Sequence, residues 1–155
     1  RDAAAVPDAA VGATFHHGDV ATPSPGAASD PHGLSALLAS QDHDEVEHAV
    51  VPLAVCAVLL DDGESVDGVV LGEMLGQPAV IVVTQRRVLA VNGRRWRPVV
   101  DEFRFSSAVQ VRGRHDAGIA AVTLLDDERL VTIDRISDLD AARHLTDIVR
   151  SRCAR

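Results

Sequence analysis

The chain contains no lysine and no tyrosine among its 155 residues, and only 3% of its residues are aromatic. Trp96 and three phenylalanines are too few to fill a core, so the core must be built from valine, leucine, isoleucine and alanine. The two cysteines, Cys56 and Cys153, stand far apart in apolar or helical surroundings. The two could pair with each other, but thiols in such surroundings are more often small, reduced apolar side chains, which is the expectation here.

Long apolar runs are also missing. The longest one, Ala49–Leu60, is interrupted by Pro52 and falls well short of the ~20 residues that a helix needs to cross a bilayer. No signal peptide is visible. The cytoplasm is therefore the expected location.

The net charge of −8 is unevenly distributed. Residues 1–60 carry eight acids and one base, whereas residues 61–155 carry fifteen acids and fourteen bases, all of them arginine. Nucleic acid is not an expected partner, because affinity for it comes largely from neutralised phosphates. An anionic membrane surface is disfavoured by the same charge but stays open as an alternative, since a local basic patch can act alone.

Composition divides the chain into three parts, which are residues 1–33, 34–63 and 64–155. The first part is rich in Ala, Pro, Gly and Asp without helical or strand periodicity, which predicts a flexible acidic arm. The second part predicts a helical lead-in, with one short turn at Leu34–Ser40 and a longer helix from about Asp42 to Leu60. Pro52 should kink that helix or mark a second start near position 51.

The longer lead-in helix is apolar on every side. Val46, Val50, Leu53, Ala57 and Leu60 share one face at helical spacing, and further valines and alanines occupy the opposite side. Such a helix must be covered on two sides, which one small barrel cannot do. Val50 and Leu53 are therefore candidate contacts with another protein or with a second copy of this chain.

The third part reads as seven short strands joined by short turns, which predicts an antiparallel sheet bent into a barrel or sandwich, a mainly β (α+β) fold. The strands are predicted at Ser65–Leu75, Gln77–Thr84, Arg87–Asn92, Arg95–Phe105, Ala108–Arg112, Ile119–Leu125 and Glu128–Ile133. Glycines in the first strand indicate close packing or a bulge. A helix N-capped by Ser137 follows, and its apolar stripe predicts that it plugs the open end of the barrel.

Several local motifs are similar to those of bacterial pleckstrin-homology-like domains. These motifs are Leu60-Asp-Asp-Gly-Glu64, Gly72, the hairpin Val83–Leu89 and the capped helix from Ser137, and the resemblance covers about residues 46–152. It implies a seven-stranded barrel with a C-terminal helix, and a non-enzymatic binding or scaffolding module that frequently forms homo-oligomers. Eukaryotic relatives hold inositol phosphates with basic residues between strands one and two. Here the loop Gly72–Gln77 has no base and one acid, which argues against phosphoinositide binding by that route.

Arginines concentrate only at the two ends of the third predicted strand. The candidate interaction residues there are Arg86, Arg87, Arg94, Arg95, Trp96 and Arg97. The two ends lie roughly 15–20 Å apart, so one phosphate cannot be held by both groups. The second group could bind an anionic partner, with Trp96 supplying apolar contact. Alternatively it is a solvated hairpin paired with Asp101, Glu102 or the acidic arm.

Catalytic and metal-binding motifs are absent from the sequence. It contains no Gly-x-Ser-x-Gly and no phosphate-binding glycine loop, and no cysteine stands near a histidine. His16 and His17 lack a third ligand, and His43 and His48 stand five residues apart, so they diverge on a helix. We therefore expect no metal and no cofactor.

A binding module for another protein, or for a second copy of the chain, is accordingly the first functional interpretation. A lipid-surface binder that uses Arg94–Arg97 is the first alternative. A small enzyme involving His115 or His144 is the second alternative.

Overall fold

A seven-stranded antiparallel sheet organises residues 30–155, the part of the chain that the computed structural model describes. The strands are β1 (Val66–Met74), β2 (Gln77–Thr84), β3 (Arg87–Asn92), β4 (Val100–Arg104), β5 (Gln110–Asp116), β6 (Ile119–Leu125) and β7 (Leu130–Ile136). The helices of this part are α1 (Leu34–Leu38), α2 (His43–His48), α3 (Val50–Leu59) and α4 (Leu139–Cys153). The mainly β, α+β fold with a C-terminal helix is confirmed. Most of the expected arm, residues 1–33, lies outside the described residues.

The strand order is β4-β3-β2-β1-β7-β6-β5. The two halves of the sheet meet at β1 and β7, which pair at Glu73 and Asp134. Within residues 30–155 no pairing joins β4 to β5, so both strands are edges and the sheet is open. The expectation of a closed shell is therefore wrong, because strand closure depends on a pairing between distant strands that local patterns do not specify.

Gly72 allows the two halves of the sheet to approach each other. A Cβ atom at this position would lie 2.4 Å from the backbone oxygen of Asp134 and 2.8 Å from the Ile133 side chain. No side chain fits at such distances, so glycine is required here by packing. The close-packing role expected for glycines in the first strand is confirmed at Gly72, and the register of β1 shifts between Val66 and Gly68.

Strands β1 to β3 are buried on both faces. One face packs against the second half of the sheet and α4, with Ile81, Phe103 and Leu145 fully buried. The other face packs against α3, whose Leu53 and Cys56 lie in a second apolar cluster. Because both faces are covered, β2 and β3 are nearly continuous apolar runs, whereas β1 also carries the half-buried Asp67 and Glu73.

The expected lead-in helix is two helices, which meet at Ala49 and Val50. Pro52 is the third residue of α3, where a backbone N–H would have no partner within the helix. The second start is therefore confirmed, but the predicted shared face is wrong. Leu53 and Leu60 are buried, whereas Val50 is exposed.

The bounds of β4, β5 and β7 also differ from the predicted ones. β4 begins at Val100 instead of Arg95, because residues 93–99 form a loop. β5 continues through Gly113 to Asp116, and the turn stands at Ala117 and Gly118, both at positive φ. β7 is shifted to Leu130–Ile136.

The C-terminal helix begins one residue later than expected. Its N-cap is Asp138 and not Ser137, since Asp138 Oδ1 accepts a hydrogen bond from the Ala141 N–H at 2.9 Å. None of the helices in the described part of the chain is long and apolar enough to cross a membrane.

Candidate functional site

Helix α3 and the loop that follows β3 both carry exposed apolar side chains. We call this the α3–loop surface; it consists of Val50, Val51, Val58, Trp96 and the arginines Arg94, Arg95 and Arg97. Trp96 is 95% exposed and Val58 is 85% exposed. Exposed apolar groups that form a contiguous patch are typical of surfaces that other molecules cover.

A buried asparagine fixes the loop that carries Trp96. Asn92 is fully buried, and its Oδ1 accepts hydrogen bonds from the N–H groups of Arg94 at 3.3 Å and Val99 at 2.9 Å. The Asn92 N–H donates to the Val99 carbonyl at 3.1 Å, which closes the loop at its base. Trp96 is therefore presented by an anchored loop, so little conformational entropy remains to be lost when a partner binds.

The loop and α3 meet at Gly93 and Pro52. A Cβ atom on Gly93 would lie 3.1 Å from Pro52 Cδ, and the Gly93 N–H donates to the Pro78 carbonyl at 2.6 Å. Pro78 also lines a cavity with Glu45 and His48 of α2. The N-terminal end of α3 thus has the basic loop on one side and α2 on the other.

The two flanks of the α3–loop surface carry opposite charges. The acids of α2 and its N-cap are Asp42, Asp44, Glu45 and Glu47. Within residues 30–155 the three loop arginines form no ion pair, so the expected alternative of pairing with Asp101 or Glu102 is wrong. Pairing with the acidic arm concerns residues outside the described part.

Arg87 occupies a different environment from the loop arginines. Its Nε and Nη2 donate to the two carboxylate oxygens of Glu64 at 3.0 and 2.7 Å, and its Nη1 donates to Glu102 at 2.9 Å. Nη2 also donates to the Leu59 carbonyl at 2.8 Å, at the end of α3. Arg87 therefore joins the end of α3 to the sheet, and only 13% of its side chain is exposed.

Glu64 is a fully buried carboxylate whose oxygens are all satisfied. Besides Arg87, it accepts hydrogen bonds from Thr84 Oγ1 at 2.7 Å and from the Asp61 N–H at 2.9 Å. The hydrogen bonds from Arg87 lower the pKa of Glu64 from 4.5 to about 2, although burial acts in the opposite direction. Burial would also raise the pKa of Glu102, but hydrogen bonds from Arg104 and Arg87 lower it overall.

The remaining candidate residues separate into exposed and internal groups. Arg86 is half exposed and stands 3.8 Å from Asp61, a loose pair at the surface. Leu53 is only 7% exposed and packs on the sheet, so its assignment as a partner contact is corrected. Val50 is 61% exposed and remains available. Arg87 is likewise removed from the candidate contacts, because its guanidinium is engaged within the chain.

The cysteine and histidine side chains of residues 30–155 form no shared metal site. Burial raises the pKa of the Cys56 thiol to about 12, so this thiol is protonated at neutral pH and unreactive. Cys153 is half-buried, and both cysteines are unpaired, as expected. Within residues 30–155, no three His, Cys, Asp or Glu side chains come together as a metal site requires. His144 is exposed on α4, and His115 lines an open groove beside the same helix.

Sequence reasoning missed Val51 and Val58 as surface residues and Asn92 as the loop anchor. The sequence did contain a pattern that groups the valines, because Val51, Ala54 and Val58 follow helical spacing on the side of the helix opposite Leu53. Which of two apolar faces meets the sheet could not be read from periodicity alone. Asn92 gave the weaker signal of an Asn-Gly pair after a strand, which indicates only a turn.

No protein-family model matches the chain, and no curated protein matches its sequence.

Proposed function

We propose that this chain is a non-enzymatic protein-interaction module that self-associates through the α3–loop surface. We also propose that its fold is that of a pleckstrin-homology-like domain. The seven antiparallel strands followed by a C-terminal helix are compatible with that assignment.

The observation that carries the proposal is the order of charges across the surface. At the N-terminal end of α3, which carries the exposed Val50 and Val51, acidic α2 stands on one side and the basic loop stands on the other. In a two-fold dimer centred on α3, the loop of each copy faces α2 of its partner, so both charged flanks are matched at once. The same self-complementary surface would repel a uniformly charged partner on one flank.

The apolar content of the surface suits an interface of ordinary size. A tryptophan buries on the order of 200 Å² when it is covered, and a stable interface takes about 800 Å² from each partner. Trp96 and the three exposed valines would form the centre, where the apolar contacts of an interface concentrate. The arginines and α2 acids would form the rim.

Molecular mass in solution tests the proposal, with sedimentation velocity measured over a range of concentrations. We expect the native chain to sediment at twice its 16.4 kDa, and Val58→Asp to sediment as a monomer. Leu130→Asp is the matched control, because Leu130 is 70% exposed but lies on β7, outside the α3–loop surface. A native monomer at every concentration, or equal dissociation by Leu130→Asp, contradicts the proposal.

A charge-exchange experiment tests the arrangement of the two copies. One variant carries Asp44→Arg, Glu45→Arg and Glu47→Arg, and the other carries Arg94→Glu, Arg95→Glu and Arg97→Glu. Each variant alone brings like charges together at both flanks, so we expect each to be a monomer. Their mixture matches both flanks again and should form a heterodimer. If the mixture stays monomeric while native dimers form, the two-fold arrangement is wrong.

A peripheral role at an anionic membrane is the second candidate function. The specific observation in its favour is Trp96, fully exposed between arginines, since tryptophan favours the membrane interface and arginine favours anionic headgroups. The acids of α2 oppose it, because they would approach the same surface. Co-sedimentation with phosphatidylserine vesicles should then require Trp96 and fade with added salt. Absence of binding at low salt rejects this role.

A further inference from the structure

Asn92 is the single asparagine of the chain, and a glycine follows it directly. In an Asn-Gly pair the side-chain amide can react with the next backbone nitrogen, because glycine has no Cβ atom to hinder the approach. Asn92 ends β3, and Gly93 begins the loop that carries Trp96. A reaction between the two would therefore take place at the base of that loop.

Two backbone groups hold the Asn92 side chain in a fixed position. As described above, Oδ1 accepts hydrogen bonds from the N–H groups of Arg94 at 3.3 Å and Val99 at 2.9 Å. The bond to Arg94, two residues further on, is the one that an Asx turn makes, and it folds the side chain towards the backbone that follows. Ring closure onto Gly93 requires the same direction, and a side chain already held there has less entropy to lose.

The nitrogen of the same side chain is not held. Asn92 is fully buried, yet within residues 30–155 its Nδ2 has no hydrogen-bond partner. Buried polar atoms are nearly always paired, so an unpaired donor in this place needs an explanation. Loss of Nδ2 as ammonia would break no hydrogen bond of the described structure and would remove the cost of burying this donor.

The Gly93 nitrogen, which would attack the side chain, is engaged elsewhere. Its N–H donates to the Pro78 carbonyl of β2 at 2.6 Å, and Pro52 of α3 stands 3.1 Å from where a Cβ atom on Gly93 would lie. The nitrogen can lose its proton and turn towards Asn92 only when its hydrogen bond opens. The fold therefore restrains the reactive pair at the Gly93 nitrogen.

We propose that Asn92 and Gly93 form a latent self-modification site, which reacts when the base of the loop moves away from β2. The Gly93 nitrogen then bonds to Cγ of Asn92, and the bond between Cγ and Nδ2 breaks. Nδ2 leaves as ammonia together with the proton that the Gly93 nitrogen loses, and the product is a cyclic succinimide. Water later opens the ring at either carbonyl, which leaves aspartate or isoaspartate at position 92.

Each product weakens the anchor of the loop. The succinimide nitrogen carries no hydrogen, so the Pro78 carbonyl loses its donor. Isoaspartate adds one carbon to the backbone at the end of β3, where Asn92 is in register with Ala79 of β2. Aspartate puts a carboxylate where a neutral amide is buried. The modification therefore releases the Trp96 loop irreversibly, and this inference does not depend on self-association.

Two rates measured on the same amide test the proposal. Hydrogen exchange reports how rarely the Gly93 N–H leaves the Pro78 carbonyl in the native chain. Intact mass and peptide mapping report the loss of ammonia and the formation of isoaspartate, in the native chain and in urea. We expect the native chain to react more slowly than the unfolded chain by the protection factor of the Gly93 amide, to within about tenfold. A native rate outside this range, or no reaction in urea, overturns the proposal.

Pro52→Ala tests the restraint without changing the two residues that react. It removes the α3 side-chain atom that stands closest to Gly93, so we expect weaker protection of the Gly93 amide. The rate of modification should rise by the same factor. Pro31→Ala is the matched control, because Pro31 is exposed ahead of α1 and its replacement should change neither quantity. Weaker protection without faster modification contradicts the proposal.

Trp96 reports whether the modification releases the loop, because it is the single tryptophan of the chain. The measurement uses the Val58→Asp variant, so that a change of oligomeric state does not contribute. We expect the modified chain to show lower fluorescence anisotropy of Trp96 and faster hydrogen exchange over residues 94–99. If both stay at their values in the unmodified chain, the reaction is chemical ageing without a structural effect, and the inferred release is wrong.

Discussion

Replacing Arg87 by methionine should destabilise the fold strongly, because it leaves the buried Glu64 carboxylate without its cation. Methionine keeps much of the side-chain volume but removes both hydrogen bonds to Glu64, at 3.0 and 2.7 Å. The pKa of Glu64 is about 2, against an ordinary value of 4.5. Each pKa unit corresponds to ~1.4 kcal/mol, so the ionised Glu64 contributes about 3 kcal/mol to the free energy of unfolding at neutral pH. Removing one partner of a buried ion pair typically costs about 3–5 kcal/mol of stability, which agrees with this value.

The contribution of Glu64 to the stability of the fold also depends on pH, and the lowered pKa fixes the direction of that dependence. Because the pKa of Glu64 is lowered in the folded state, its contribution is complete above pH 4.5 and is lost as the pH falls from 4.5 towards 2. Glu64→Gln removes that titration and serves as the reference, since other acids of the chain titrate in both proteins. The native chain should therefore lose its advantage over Glu64→Gln across this window.

Urea unfolding followed by circular dichroism measures both effects. At pH 7 we expect the midpoint of Arg87→Met to fall with an unchanged slope against urea. The double variant Arg87→Met, Glu64→Gln should recover part of the loss, because no charge is then left buried. A loss below about 1 kcal/mol at pH 7 would mean that water or another cation compensates Glu64, and the reasoning would fail.

Three further predictions concern packing, thiol chemistry and capping. Gly72→Ala should lower the free energy of unfolding in urea by at least about 2 kcal/mol, because the new Cβ atom would lie 2.4 Å from a backbone oxygen of β7. An unchanged stability would contradict the close approach of β1 and β7. Cys56 should resist a thiol reagent in the folded chain and react after unfolding, since its pKa is about 12, so native titration should detect Cys153 alone. Asp138→Ala should cost about 1 kcal/mol of unfolding free energy whereas Ser137→Ala costs almost nothing, and the reverse order would restore Ser137 as the N-cap.

Local patterns predicted most of the secondary structure. Strands β2, β3 and β6 have the expected boundaries, because each is a run of β-branched and apolar residues closed by a polar or glycine turn. The residues around β4 were harder to predict. Arg95 to Val99 resemble an edge strand, but Asn92 binds the backbone at both ends of this stretch and folds it into a loop.

The candidate site was less predictable than the fold. Arg87 and Arg94 look alike as members of basic groups, yet one pairs with a buried carboxylate and the other stands in solvent. Glu64 and Arg87 are 23 residues apart, and their pairing depends on how the end of α3 meets β3. No pattern over a few residues carries that information.

The sequence by itself determined the elements: an apolar helix, seven antiparallel strands and a capped C-terminal helix, since periodicity and turn residues act over short distances. Only the tertiary structure decided which face of α3 covers the sheet, that β4 and β5 do not pair with each other within residues 30–155, and that Arg87 meets the buried Glu64. Those features depend on contacts between segments that are distant in the chain, and such contacts are set by packing rather than by local preference.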